Sequence, residues 1–285
     1  MTRVAACLSI CAFIAASSRP LHDISAAPRD PYLMTIARAG KVLHTPMLKA
    51  VFWGPEWHDP AFAGDIVSGI DSLLAAYSGS QYAAVLREYY DRSGSISGYA
   101  TYAGYQIDSS PAPAPEGFNG AVAIAKICSM TNNSPDSNGA YLVFTSTPKS
   151  PDAPGKTCAL HAWGACSNGK PVQVVGVRYS SGQIGSGCEG VQDFETGHSL
   201  ALSQMANLAM HELAETITDP RNTGWHDSYG EEISNKCILT FPNDVSQYPE
   251  FPDGSVWKLQ GLWSNAAYGA RTGAPNLSGQ RACVW

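Results

Sequence analysis

The feature that most constrains the fold is an apolar segment near residues 198–220 that ends at a proline. Pro220 cannot continue a helix, and it disfavours helical geometry at Asp219. We therefore predict one helix over residues 199–218. One face of this helix is apolar at the 3.6-residue period, through Leu202, Ala206, Ala209, Leu213 and Ile217.

This helix carries the pattern His-Glu-x-x-Glu, which differs at one position from the zinc-protease signature His-Glu-x-x-His. His211 and Glu215 lie one turn apart, so their side chains can converge on one point. In the signature, the outer residues bind zinc and the glutamate takes a proton from metal-bound water. Since zinc also accepts oxygen ligands, the pattern predicts His211 and Glu215 as ligands and Glu212 as general base. The alternative is an ordinary helix with one histidine and two acids.

A second acidic cluster at residues 224–237 offers a third ligand. In metalloproteases with a glutamate as third ligand, that residue comes from a second helix downstream, and residues 231–237 are a candidate for this helix. We therefore predict Glu232 as the third zinc ligand. Asp219 and Asp227 are the alternatives, although the position of Asp219 before a proline favours a cap or turn role.

The N-terminus has the three parts of a secretory signal peptide: Arg3, an apolar stretch over residues 4–14, and small residues over 15–18. It is too short for a membrane span, and an uncleaved anchor is the alternative. We expect a signal peptide over residues 1–18, a leader or short pro-segment over 19–40, and a single domain over 41–285. The protein is then extracellular, or periplasmic in a bacterium.

Charge and cysteine content agree with export. The net charge of −6, without a basic run, argues against nucleic acid or an anionic membrane as partner. Six cysteines remain after the signal peptide, and an even number in an exported chain predicts three disulfides. Zinc binding by cysteine is the rival interpretation, but no Cys-x-x-Cys pair exists. The pairs we select are Cys158–Cys166, Cys237–Cys283 and Cys128–Cys188.

The hydrophobic periodicities predict strands that alternate with helices. Strands are expected over residues 47–53, 97–107, 140–145, 159–163 and 172–179, and shorter helices over 65–77, 81–90 and 120–130. This order predicts an α/β (α+β) fold, with a zincin-like sheet over the active-site helix. A smaller, irregular, disulfide-bound lobe follows from about residue 221. Zincin substrates lie along an edge strand, for which residues 172–179 are the candidate.

Several short motifs along the chain can be compared with known families: Val-Phe-Trp-Gly at 51–54, Cys-Ala-Leu-His at 158–161, the block at 211–220, Gly224-Trp225 followed by Glu232-Ile233 and Cys237, and Trp-Ser-Asn at 263–265. Together they resemble the secreted phosphate-induced protein family, also called EXORDIUM-like proteins. The His-Glu block is the specific match, and the others are supportive. The resemblance implies an extracellular protein, linked in plants to the cell wall and to growth, without fixing an activity.

Functions from different classes fit these observations. A secreted zinc peptidase would use zinc to activate water for attack on a peptide or protein substrate. His161, on a predicted strand, would then orient substrate or stabilise an oxyanion, unless it is simply hydrogen-bonded in the core. The alternative is a non-catalytic protein that binds a cell-wall glycan or signals growth. Glycoside hydrolysis ranks last, because nothing fixes two carboxylates at the required separation.

Overall fold

The computed structural model describes residues 30–148, 158–181 and 191–285, and the compact unit spans Pro31–Trp285. The strands are β1 Thr35–Ile36, β2 Met47–Trp53, β3 Tyr90–Asp91, β4 Gly94–Ser95, β5 Thr101–Asp108, β6 Gly139–Pro148, β7 Ala159–Ala165, β8 Pro171–Tyr179, β9 Trp225–His226, β10 Leu262–Trp263, β11 Ala274–Pro275 and β12 Arg281–Val284. The helices are α1 Pro60–Ala63, α2 Ile66–Ala76, α3 Gln81–Val85, α4 Gly120–Met130, α5 Leu200–Thr218 and α6 Asn265–Ala270. The fold is therefore mixed α/β.

A five-stranded mixed sheet with the order β5-β2-β6-β8-β7 forms the centre. Its strands run parallel except β7, which pairs antiparallel with β8 at one edge. The prediction that residues 172–179 form the edge is wrong, because β8 lies between β6 and β7. The nearly continuous burial of β8 is typical of an inner strand that is covered on both faces.

Each face of the sheet packs on its own hydrophobic cluster. Leu142, Val175 and Val177 share a core with α2 and α5. On the other face, Val143 and Val174 pack with α4. Neighbouring side chains in a strand point to opposite faces of the sheet, because the strand has a period of two. Helix α5 packs against β7 and β8.

Helix α5 forms where the sequence predicts it. The Ser199 hydroxyl caps its N-terminus by accepting the N–H of Leu202 at 3.0 Å, and the helix ends at Thr218, before Pro220. Most of the helix is buried, including the polar residues Glu212 and Glu215. Within the described segments, no helix combines the length and apolar character needed to cross a membrane.

The C-terminal segment shares the central core. Leu262 and Trp263 of β10, together with Ile233, belong to the same hydrophobic cluster as α5. Strands β10, β12 and β11 form a small antiparallel sheet, and β1 pairs with β9. Part of the predicted leader is thus packed into the fold, while the predicted signal peptide lies outside the described residues.

Two disulfides are described, Cys128–Cys166 and Cys237–Cys283. The Cys237–Cys283 prediction is confirmed. The predicted pairs Cys158–Cys166 and Cys128–Cys188 are wrong, because α4 packs on β7 and β8 and brings Cys128 to Cys166. Cys158 is also disulfide-bonded, and Cys188 lies outside the described residues.

Two predicted helices are shorter than expected. The helix predicted over residues 81–90 ends at Val85, continues as a 3₁₀ turn over Leu86–Glu88, and gives way to β3. Of the helix predicted over residues 231–237, only the 3₁₀ turn Asn235–Cys237 forms. Glu232 therefore approaches α5 from an irregular segment.

Candidate metal centre

Three elements bring five ionisable side chains together. His211, Glu212 and Glu215 lie on α5, Glu232 precedes the turn Asn235–Cys237, and His161 lies on β7. In the sheet register His161 is opposite Val175, whose side chain belongs to the core that contains α5. Because cross-strand neighbours share a face, the His161 side chain points toward α5.

The contacts in this cluster centre on Glu215. His211 Nε2 lies 3.2 Å from Glu215 Oε1, and His161 Nε2 lies 3.8 Å from Glu215 Oε2. His161 Nε2 also lies 3.1 Å from Glu232 Oε2. Each oxygen of the Glu215 carboxylate therefore faces a different imidazole, and His161 links Glu215 to Glu232.

The tightest group differs from the predicted ligand set. One potential ligand atom from each of His161, Glu212 and Glu215 lies within 4.8 Å of the other two. The predicted ligands His211 and Glu232 flank this triplet through their contacts with Glu215 and His161. The structure therefore brings together all five predicted site residues, and it places His161 among the potential ligands.

The irregular segment before Cys237 holds the cluster in place. The backbone N–H of Asn235 donates to Glu215 Oε1 at 3.2 Å, and the Ser234 hydroxyl donates to the carbonyl of His211 at 2.9 Å. The Gln260 amide in turn donates to the Ser234 carbonyl at 2.9 Å. Sequence reasoning missed these supporting residues, because nothing in their local sequence signals a contact with α5.

Burial and neighbouring charges shift the pKa values of both histidines. Burial disfavours the charged imidazoles, but the surrounding carboxylates outweigh it. The hydrogen bond and charge of Glu232 raise the pKa of His161 to about 9. The charge and hydrogen bond of Glu215 raise the pKa of His211 to about 9. Without a metal, both histidines are therefore protonated at neutral pH.

The pKa values of two cluster carboxylates, Glu212 and Glu232, are raised as well. Burial, followed by the charge of Glu215, raises the pKa of Glu212 to about 7, against the lowering effect of the two histidines. Burial also raises the pKa of Glu232, although its hydrogen bond with His161 lowers it. Glu212 therefore takes up or releases a proton near neutral pH, as a general acid or base must.

The two alternatives for the third ligand, Asp219 and Asp227, bond to groups outside the cluster. Asp219 Oδ1 accepts the backbone N–H groups of Thr223 at 2.7 Å and Gly224 at 2.6 Å, which makes it a turn former. Asp227 Oδ2 lies 2.6 Å from Lys236 Nζ, and its other oxygen accepts backbone N–H groups. Of the three candidates, Glu232 is the one that contacts a cluster histidine.

The donor atoms suit a zinc ion. Zinc accepts imidazole nitrogen and carboxylate oxygen at about 2.0–2.2 Å, which spaces tetrahedral ligands about 3.3–3.6 Å apart. Within the predicted ligand set, His211 Nε2 and Glu215 Oε1 are 3.2 Å apart. His161 Nε2 lies 3.1 Å from Glu232 Oε2 and 3.8 Å from Glu215 Oε2. In addition, Glu232 Oε1 is buried without a hydrogen-bond partner. Because buried polar atoms normally have partners, this oxygen is available to a ligand.

No protein-family model, curated protein or solved structure matches this chain. The assignment of a function therefore depends on the chemistry of the cluster and of the surface around it.

Proposed function

We propose that this protein is a secreted, zinc-dependent peptidase with a zincin-like arrangement of sheet and active-site helix. The observation that carries the proposal is the convergence of two histidines and three glutamates between α5 and the edge strand β7. The disulfides agree with an oxidising, extracellular compartment. The sequence resemblance to EXORDIUM-like proteins also favours secretion.

In this proposal His211, Glu215 and Glu232 would hold the metal. Bound zinc supplies Lewis acidity and lowers the pKa of water at the site. Glu212 would act as general base toward a water molecule at the site, and its pKa of about 7 in the metal-free protein suits proton transfer near neutral pH. His161, whose pKa is raised to about 9 in the metal-free protein, would donate a hydrogen bond to the substrate carbonyl oxygen as negative charge develops.

The edge strand favours an extended peptide as substrate. Among the described strands, β7 pairs only with β8, so its other side has no strand partner in the described part of the chain. A peptide can add to such an edge through main-chain hydrogen bonds. Because His161 lies within β7, a peptide aligned there passes beside the cluster.

The proposal is tested by metal content and hydrolysis together. We expect about one zinc per chain by elemental mass spectrometry, and loss of that zinc in His211→Ala. Glu212→Gln should retain zinc while hydrolysis of a quenched-peptide library falls by about 10²–10⁴-fold. Glu116→Gln, an exposed substitution, serves as the control. Unchanged hydrolysis in a folded Glu212→Gln variant would rule out the assigned base.

The second candidate is a non-catalytic extracellular protein that binds a cell-wall glycan or signals growth. The observation that favours it is the pairing of His161 with Glu232 and of His211 with Glu215, which offsets most of the buried charge without a metal. In this case the purified protein contains no stoichiometric zinc, and Glu212→Gln changes no activity. The same two measurements therefore separate the candidates.

A further inference from the structure

A separate cleft of about 370 Å³ adjoins the turn Asn235–Cys237. Its volume falls in the range of about 300–1,000 Å³ that is typical of small-molecule sites. None of the five cluster side chains lines it. The Asn235 backbone supports Glu215, whereas the residue itself lines the cleft, so the two sites share this turn.

Two tyrosines form an aromatic surface in this cleft. The rings of Tyr32 and Tyr229 lie with their centroids 5.7 Å apart and their planes at 40°. These residues are 38% and 65% exposed, so ring surface is accessible to a ligand. Aromatic rings of this kind combine an apolar face with a polar hydroxyl, and the apolar C–H face of a sugar ring stacks on such a surface.

Hydrogen-bonding groups surround the tyrosines. Within the described residues, the side chains of Glu231 and Asn235 make no hydrogen bond, and both line the cleft. Gln280 uses its amide oxygen to accept from Asn276 at 3.1 Å, which leaves its amide N–H groups for a ligand. A carboxylate acceptor and amide donors together match the hydroxyl groups of a saccharide.

The charges of the cleft disfavour an anionic ligand. Lys236 is the one cation among the described lining residues, and it is 7% exposed. Its ammonium lies 2.6 Å from Asp227 Oδ2 and 4.0 Å from the centroid of the Trp263 ring. Since Lys236 is already paired, Glu231 carries the unpaired charge among the described lining residues, and its carboxylate repels anions.

We propose that this cleft is a binding site for a neutral saccharide chain, which stacks on Tyr32 and Tyr229 and hydrogen-bonds to Glu231, Asn235 and Gln280. The site is distinct from the metal centre and does not depend on the proposed peptidase activity. It gives the protein a means of attachment to a neutral polysaccharide, whichever candidate function holds.

Calorimetric titration with defined hexasaccharides tests this site. The neutral probes are cellohexaose, xylohexaose, mannohexaose and chitohexaose, and the anionic probe is hexagalacturonate. We expect saturable binding of at least one neutral probe, weakened roughly tenfold or more in Tyr229→Ala. Tyr99→Ala, which removes another exposed tyrosine, should retain the wild-type affinity. Circular dichroism melting establishes that both variants are folded.

Three outcomes would overturn the saccharide site: no binding of any neutral probe, equal affinity in Tyr229→Ala and wild type, or a preference for hexagalacturonate. The zinc and hydrolysis measurements are independent of these titrations. A failure of the peptidase proposal and a failure of the saccharide site are therefore distinguishable.

Discussion

His211 must release a proton before its imidazole can bind a metal. Its pKa of about 9 in the metal-free protein means that zinc competes with protons throughout the neutral range. The apparent zinc affinity should therefore rise as the pH increases from 6.5 to 9, about tenfold per pH unit for each proton released, and level off above pH 9. Competition with a chelating dye at several pH values measures this slope. A pH-independent affinity would contradict metal binding by the His211 imidazole.

The metal-free protein should show the opposite trend in stability. Both histidine pKa values are raised from 6.5 to about 9, so their stabilising contribution is complete below pH 6.5 and is lost as the pH rises through 9. The raised pKa of Glu212 acts in the same direction, with loss through about pH 7. Thermal melts with a chelator present should show the melting temperature falling from pH 6 to pH 9.5. The fall should be smaller in His161→Gln.

Lys236 and Asp227 form a buried ion pair whose loss is expected to be costly. Their atoms are 2.6 Å apart, and their side chains are 3% and 2% exposed. Lys236→Ala leaves the Asp227 carboxylate buried without its partner, which should lower the free energy of unfolding by about 3–5 kcal/mol. The matched control is Lys41→Ala, because the Lys41 side chain is 50% exposed and its ammonium lies 3.7 Å from Asp91 Oδ2. This substitution should lower the free energy of unfolding by at most about 1 kcal/mol. Urea denaturation measures both, and equal losses would count against the buried pair.

At the scale of elements, α5 depends on its N-cap. Ser199 accepts the Leu202 N–H, and its hydroxyl donates to Asp65 Oδ1 at 2.5 Å, which ties the start of α5 to the start of α2. Ser199→Ala should lower the free energy of unfolding by about 1 kcal/mol. Ser68→Ala, which removes an exposed bond to a backbone carbonyl, is the control. The prediction fails if urea denaturation shows the same stability for both variants.

Local periodicity was enough to locate the elements with a strong pattern. The predicted helices over residues 199–218 and 120–130 correspond to α5 and α4, and the predicted strand over 47–53 corresponds to β2. The order of strands was not accessible in the same way. An apolar run does not determine which strand it pairs with. The sequence therefore predicts residues 172–179 as the edge strand, whereas β7 occupies that edge in the structure.

The same limit applies to the site. The spacing of His211 and Glu215 on one helix predicts that they meet, because helical geometry is local. The approach of His161 to Glu232 depends on the docking of a strand and an irregular segment on α5, which no spacing encodes. The sequence therefore predicts only a contact between His161 and substrate, whereas the fold also places His161 among the potential metal ligands.

At the scale of the whole molecule, the two described disulfides fix different sides of the sheet. Cys128 and Cys166 belong to the hydrophobic cluster with α4. Cys237 and Cys283 belong to the cluster with α5, and Cys237 ends the turn that supports Glu215. Of these two disulfides, the second therefore borders the turn whose Asn235 N–H bonds to Glu215.

This division predicts different effects of removing each disulfide. Their sequence separations are 38 and 46 residues, so the variants Cys128→Ser/Cys166→Ser and Cys237→Ser/Cys283→Ser should lose similar stability, about 2–4 kcal/mol each. Only the second variant should also bind zinc more weakly, because the turn that carries the Asn235 N–H is no longer tied to β12. Denaturation and dye competition below the melting temperature measure the two effects separately. Equal zinc affinity in both folded variants would show that the turn keeps its position without the disulfide.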